Sequence, residues 1–420
     1  FTSGAEATMR ARAFLLAGWS GLTLGCGDRP APAHPGAVIV RDSLGIRIVE
    51  HPAGYEDGLP VWDARGEPVV DIGGGDEGGQ DLHLVRGAVR LGDRRIVVAN
   101  GGSGELRVFD STGRYLRAIG KQGQGPGEFA SLGTVSRIPG DTLVALDFQL
   151  RRFSLFAPSG DFVSSTSSMV RSEHGRVAAS MRLLDGRLVG TEGSFGDMKE
   201  TSGPVRRVPM AVVVLQTGAE GFDTIAVVPG PEVYPALGRE AGQEFPTVKG
   251  LEFGREAVIA TDGRQIFVGS NEPVGIRVYQ ADGRLVRIIR SATPAEPVTE
   301  AHRAQRIRES LARLERQRAP EQLKAQWRKN QEDHRFAETF PFYERLLIGT
   351  DGSLWVELAR RTEDEGRRYV VYDTSGTAIA TVRCPDRVRP YEVGPIEILG
   401  LWRDPEEVNH VRAYKVSSER

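Results

Sequence analysis

The chain has 420 residues, a length that by itself suggests about 2.8 domains. Hydrophobic residues at 40% and charged residues at 26% exclude a disordered chain. With 54 Lys and Arg against 56 Asp and Glu, the net charge of −2 excludes a strong global attraction to nucleic acid, and no nucleic-acid partner is expected. Two cysteines exclude a disulfide scaffold and a cysteine-rich zinc module, while 51 glycines point to many tight turns between short strands.

Residues 1–26 read as a few upstream residues followed by an export signal. After Met9 come Arg10 and Arg12, then an apolar run from Ala13 to Leu24, too short for the ~20 residues that span a bilayer. Leu22-Thr23-Leu24-Gly25-Cys26 resembles a bacterial lipobox, with Thr23 where leucine is usual and Leu24 where a small residue is usual. The resemblance implies a diacylglyceryl group on Cys26 and membrane attachment through that lipid, facing the periplasm or the cell exterior. The other reading is an ordinary signal peptide with an incidental cysteine. Residues 27–37, rich in Pro and Gly, form an extended tether. Cys384 would then have no intramolecular partner and reads as a buried or semi-buried thiol, not as a nucleophile.

Repeats decide the fold of residues 38–416. A phrase made of an aromatic residue, a short turn and a glycine occurs at Trp62–Gly66, Phe109–Gly113, Phe156–Gly160, Tyr279–Gly283 and Tyr372–Gly376. Gly66, Gly113 and Gly160 are spaced 47 residues apart. A second turn signal, at Gly92-Asp93, Gly140-Asp141, Asp185-Gly186, Asp262-Gly263 and Asp351-Gly352, leads each time into an apolar strand. Each unit therefore reads as four antiparallel strands, with a period typical of propeller blades. Gly160 to Gly283 exceeds two periods by 29 residues and Gly283 to Gly376 exceeds one by 46; without these excesses, Val61–Val416 holds about six periods. The predicted architecture is an all-β, six-bladed β-propeller of four-stranded antiparallel blades.

The tail, Ile396–Trp402 and Val411–Val416, reads as inner strands lacking an outer one, and Val61–Ile72 as an outer strand lacking inner ones. Joining them closes the ring and removes exposed sheet edges. The hairpin Val38–Val40 and Ile46–Val49 is an alternative or additional closing strand. The loop Ile119-Gly120-Lys121-Gln122-Gly123-Gln124-Gly125-Pro126-Gly127-Glu128-Phe129 resembles the inter-blade loop of NHL-repeat propellers, and the whole unit is similar to bacterial six-bladed propeller lipoproteins. That likeness implies a fold and not a shared activity.

Residues 293–340 interrupt the β pattern between blades four and five. Ala304, Ile307, Leu311 and Leu314 share one helical face, and Pro320 opens a second helix carrying Leu323 and Trp327. This helical hairpin reads either as a lid or docking arm over one propeller face, or as a solvated pair on its flank.

Motifs for a serine nucleophile elbow, a zinc-binding helix and a phosphate loop are absent. The seven histidines form no ligand pair, so no metal is assigned. Propeller lactonases bind calcium through residues of different blades, and Asn100, Asp147, Asn271 and Glu357 occupy second-strand ends here; the competing reading is a set of turn residues. Candidate channel residues are Arg137, Arg182, Arg345 and Glu397, whose arginines would favour an anionic ligand. Two functions follow. The first is a binding or scaffolding module for a protein, peptide or glycan, with no cofactor. The alternative is a metal-dependent lactonase- or lyase-type enzyme with Ca2+ in the channel. A sensor propeller for an extracellular ligand is a third, weaker reading.

Overall fold

The computed structural model describes residues 37–418 except 76–77, 173–174, 194–200, 217–220, 241–242, 272–274, 317–318, 333 and 363–364. Cys26, the export signal and tether residues 27–36 lie outside the described residues. Six sheets follow one another around a ring, each built on one antiparallel blade. Blade one comprises Val85–Arg90, Ile96–Asn100, Glu105–Phe109 and Tyr115–Ile119. Blade two comprises Leu132–Ile138, Thr142–Asp147, Arg152–Phe156 and Phe162–Ser167. Blade three comprises Gly175–Arg182, Leu188–Gly193, Arg206–Leu215 and the long Phe222–Glu240, with an added strand at each edge, Met169–Ser172 and Gln243–Gly250. Blade four holds Val258–Thr261, Gln265–Gly269, Ile276–Gln280 and Leu285–Ser291, and blade five Tyr343–Ile348, Leu354–Leu358, Arg368–Tyr372 and Ala378–Arg383. Blade six takes Val388–Val393, Glu397–Arg403 and Asn409–Lys415 from the end of the chain and Val70–Ile72 from its beginning.

The ring is held by six separate apolar cores, one at each junction between neighbouring blades. Leu106 and Phe129 meet Leu143 and Phe156 between blades one and two, and Val144 and Phe153 meet Val177 and Val213 between two and three. Val189 meets Ile266 and Tyr279, Phe267 and Ile289 meet Val356 and Tyr372, and Trp355 and Tyr369 meet Val388 and Tyr414. The sixth core joins Ile72, Leu399 and Val411 to Ile96 and Phe109, which closes the circle. Alternating burial on both faces of each sheet requires this arrangement, because every blade must cover its neighbour.

The closing strand is narrower than Val61–Ile72. Only Val70–Ile72 pairs with blade six, Ile72 opposite Val411. Val61–Asp63 instead runs parallel to the last strand of blade five, Trp62 beside Val382. The early hairpin, Ile39–Ser43 and Ile46–His51, lies parallel to the last strand of blade four, Val49 beside Ile289. The chain thus covers the outer edges of blades four, five and six in turn before it begins blade one. Edge coverage explains why these segments carry strand-forming residues without an inner partner of their own.

Two helices, α1 (Glu300–Arg316) and α2 (Glu321–Glu332), occupy the connection between blades four and five. The face that α1 buries is not the predicted apolar one: Glu309 and Ser310 are buried, Ile307, Leu311 and Leu314 are half-buried and Ala304 is exposed. Polar and aromatic contacts dock the helix. Arg306 Nε donates to Glu252 at 2.5 Å, the His302 ring packs 5.0 Å from Phe340, and the guanidiniums of Arg303 and Arg306 lie over Phe336 and Phe253. The insert therefore rests on the segment that follows the long hairpin of blade three.

Candidate functional site

Neighbouring strands in a blade are antiparallel, so the beginnings of first strands, the ends of second strands and the connections leaving fourth strands share one face of the ring. This is the front face. The helical insert and the long hairpin of blade three both leave fourth strands and lie on it. The opposite, back face carries the ends of first strands.

At the front mouth of the channel, arginines converge. Arg345, on the first strand of blade five, donates through Nη2 to the Pro390 carbonyl at 3.2 Å, crossing to blade six. The Tyr391 hydroxyl donates to the Val85 carbonyl at 2.8 Å, crossing from blade six to blade one. Around that phenol stand Arg86, Arg345, Arg389 and Arg403, whose charges oppose the upward pull of burial on it. Arg389 sits among Arg345, Arg367 and Arg403. Burial and these like charges lower its pKa, with only Tyr391 acting the other way. Among the described residues, neither Arg86 nor Arg389 has a carboxylate partner. The carboxylate of this mouth is Glu357, fully buried at the end of a second strand. It is already engaged: Arg367 binds one oxygen, and the other accepts from the Tyr369 hydroxyl at 2.9 Å and lies 3.5 Å from Arg345.

The back mouth is charge-balanced. Arg90 Nε donates to Glu397 at 2.6 Å, and the Arg90 backbone N–H donates to Glu392 at 3.3 Å. Arg137 pairs with Asp141 at 2.9 Å, and Asp141 also accepts from the Gly92 N–H. Burial raises the Glu392 carboxyl pKa, against the pull of Arg90 and Arg137. Of the residues singled out in the sequence, Arg137, Arg182 and Arg345 lie on first strands, but Glu397 begins the second strand of blade six. The first strand there is Val388–Val393, and Glu397 reaches the back mouth only because the turn before it is short. The four residues do not form one cluster: Arg137 and Glu397 belong to the back mouth, Arg345 to the front, and Arg182 donates to the neighbouring Leu183 carbonyl at 3.4 Å. Sequence reading missed Arg86 and Arg389. Their signal was the second position of the first strand, counted back from the turns at Gly92-Asp93 and Gly394.

Three of the four second-strand ends singled out in the sequence are already engaged. Asp147 accepts four backbone N–H groups, from Ala130, Ser131, Gln149 and Leu150. Asn100 accepts from the His83 N–H and donates to Ser103, while Glu357 is held by arginines. Among the described residues, no three His, Cys, Asp or Glu side chains come together as a ligand set. Asn271, the fourth of these residues, keeps its Oδ1 buried and without a hydrogen-bond partner among the described residues. The glycine-rich loop is likewise satisfied internally: Glu128 accepts from Gly125 N–H at 2.8 Å and pairs with Lys121, and Phe129 plugs the adjoining core.

A family model described as a 6-bladed beta-propeller matches residues 80–167, the span of blades one and two. No curated protein matches the chain. Solved structures with a similar fold include a conjecturally exported protein of Bacteroides fragilis, at 13% identity and a TM-score of 0.45, over 89% of this chain and 100% of that one. A member of the DUF4221 family from Bacteroides vulgatus gives 10% identity and a TM-score of 0.49, over 83% and 97%. Regucalcin from Agrobacterium tumefaciens gives 11% and 0.37, over 86% and 97%. These likenesses concern the fold alone, and the chain is a six-bladed β-propeller.

Proposed function

We propose that the protein is an exported binding module that captures a carboxylate-bearing partner, an acidic peptide or an anionic glycan, on the front face of the propeller. The observation that carries this reading is the pair Arg86 and Arg389, unpaired by any described carboxylate and flanked by Arg345, Arg367 and Arg403. Guanidiniums in a partly desolvated mouth bind carboxylates through charge-assisted bonds stronger than those available in open water. The helical insert and the blade-three hairpin rise on the same face and supply a rim for a larger ligand. The lactonase- or lyase-type reading would need oxygen donors that converge; Asp147, Asn100 and Glu357 are committed to turns and arginines, and no three His, Cys, Asp or Glu side chains come together among the described residues.

Calorimetry with trigalacturonate and with a short poly-glutamate peptide tests the reading, with neutral galactotriose as control. Binding of either anion, reduced tenfold or more in Arg86→Gln/Arg389→Gln, supports it. No binding of either anion, or undiminished binding in the double variant, overturns it.

Location belongs to the same proposal. The basic pair, apolar run and Cys26, followed by a Pro/Gly tether, suit a lipid-anchored protein facing the periplasm or exterior. Replacing Cys26 with Ser should move the protein from the membrane fraction to the soluble one; unchanged fractionation defeats the anchor.

A further inference from the structure

A cleft lies in the groove between blades four and five. Its volume is about 220 Å³. The short 3-10 turn Tyr55–Gly58, on the segment between the early hairpin and Val61–Asp63, forms one wall. Phe340 and Phe342, from the return of the helical insert, form another, and Tyr372 belongs to its lining. The Tyr55 and Tyr372 hydroxyls hydrogen-bond to each other, and the His51 ring packs 4.7 Å from Tyr55 and 5.3 Å from Tyr372.

Three carboxylates, Glu56, Asp57 and Glu296, and three arginines, Arg290, Arg361 and Arg368, line this cleft. Its arginines are paired: Arg290 with Glu50 at 2.5 Å, Arg361 with Glu296 and Glu365, and Arg368 with Glu365 at 3.0 Å. Glu56 and Asp57 also line it, and among the described residues neither has a basic partner. Glu56 Oε2 is buried and accepts no hydrogen bond. A buried, unpaired carboxylate oxygen is costly, and a donor that arrives with a ligand removes that cost. Arg290 Nε is buried and unbonded too, while its Nη2 pairs with Glu50, which also pairs with Arg41 at 3.1 Å.

We propose that this cleft binds a small primary ammonium with an apolar or aromatic body. The ammonium N–H groups would satisfy Glu56, its charge would answer Glu56 and Asp57, and its body would rest against Tyr55, Phe340, Phe342 and Tyr372. Rings beside a cation add attraction through their electron-rich faces. Ligand chemistry here is opposite in sign to that of the channel mouth.

The test compares 2-phenylethylamine with its neutral counterpart 2-phenylethanol, by calorimetry on the folded chain. The amine is expected to bind at least tenfold tighter than the alcohol. Glu56→Gln should abolish that preference, and Asp57→Asn, an exposed change, should weaken it severalfold without loss of thermal stability. Arg86→Gln/Arg389→Gln should leave amine binding unchanged, so failure at the channel mouth does not touch this site. Equal affinity for amine and alcohol, no binding of the amine at millimolar concentration, or a preference that survives both Glu56→Gln and Asp57→Asn overturns the proposal.

Discussion

Asp71 and Arg412, 341 positions apart in the chain, meet at 2.7 Å where the ring closes. The same carboxylate lies 2.9 Å from His410 Nδ1, and the Arg412 guanidinium stacks over Trp402. Beneath them Ile72 is fully buried against Val411. The apolar contact should dominate the seam, because Asp71 is partly exposed and surface pairs contribute little. Ile72→Ala should lower unfolding stability by about 2–5 kcal/mol. Asp71→Asn should lower it by at most about 1 kcal/mol. Urea unfolding of the two variants checks the ranking; equal losses would show that the seam is electrostatic.

His51 ties three parts of the propeller together. Its Nε2 accepts the Ala378 N–H at 3.1 Å and its Nδ1 lies 3.3 Å from the Arg290 carbonyl, which fits a neutral ring with the proton on Nδ1. Burial holds its pKa below the ordinary 6.5. The unfolded chain then binds a proton near pH 6.5 that the folded chain refuses, so this residue lowers stability as pH falls from 6.5 toward the folded pKa. His51→Gln should flatten the stability profile between pH 7.5 and 5.5 relative to the parent protein. An unchanged slope would mean that other groups set the acid sensitivity.

What was legible in the sequence is tied to local backbone chemistry. Gly113, Gly160, Gly283 and Gly376 all adopt positive φ, between 87° and 94°, and each donates its N–H to the carbonyl three residues before it. Only glycine does this at low cost, so the turn leaves a mark that repeats. Gly66, read as a fifth copy, is not at positive φ, and its strand pairs with blade five instead of closing a blade. That pairing joins residues more than 300 positions apart and leaves no local trace. The channel was harder to read for a different reason. First strands carry bulges, one between Val85 and Gly87 and one between Pro390 and Glu392, and each shifts the inward and outward alternation by one residue. Arg86 falls on a bulge and Arg389 just before one; Arg345 borders a third, between Tyr343 and Arg345.

Cys384 should be chemically silent while the protein is folded. It lies in the core between blades five and six, and burial pushes its thiol up to about 12. The thiolate is the reactive form, so almost none is present near neutral pH. In a Cys26→Ser background, native protein should resist iodoacetamide and react stoichiometrically once unfolded in urea. Rapid labelling of the native form would show that the junction between blades five and six opens readily.

Glu357 separates structural from binding roles at the front mouth, because its two effects should have opposite signs. Its carboxylate holds Arg367 and Arg345 and accepts the Tyr369 hydroxyl, all from full burial. Glu357→Gln keeps the shape and can still accept from Tyr369, but it leaves two guanidiniums uncompensated. Unfolding stability should fall by about 3 kcal/mol, near the lower end for a broken buried pair because both arginines reach solvent. The same change makes the mouth more positive by one charge. At the front mouth a bound carboxylate should then gain about 1 kcal/mol, or roughly fivefold in affinity, after screening. A variant that is less stable yet binds trigalacturonate more tightly would match the arginine mouth. A variant that loses both stability and affinity would mean that Glu357 shapes the site and that its charge does not set the preference.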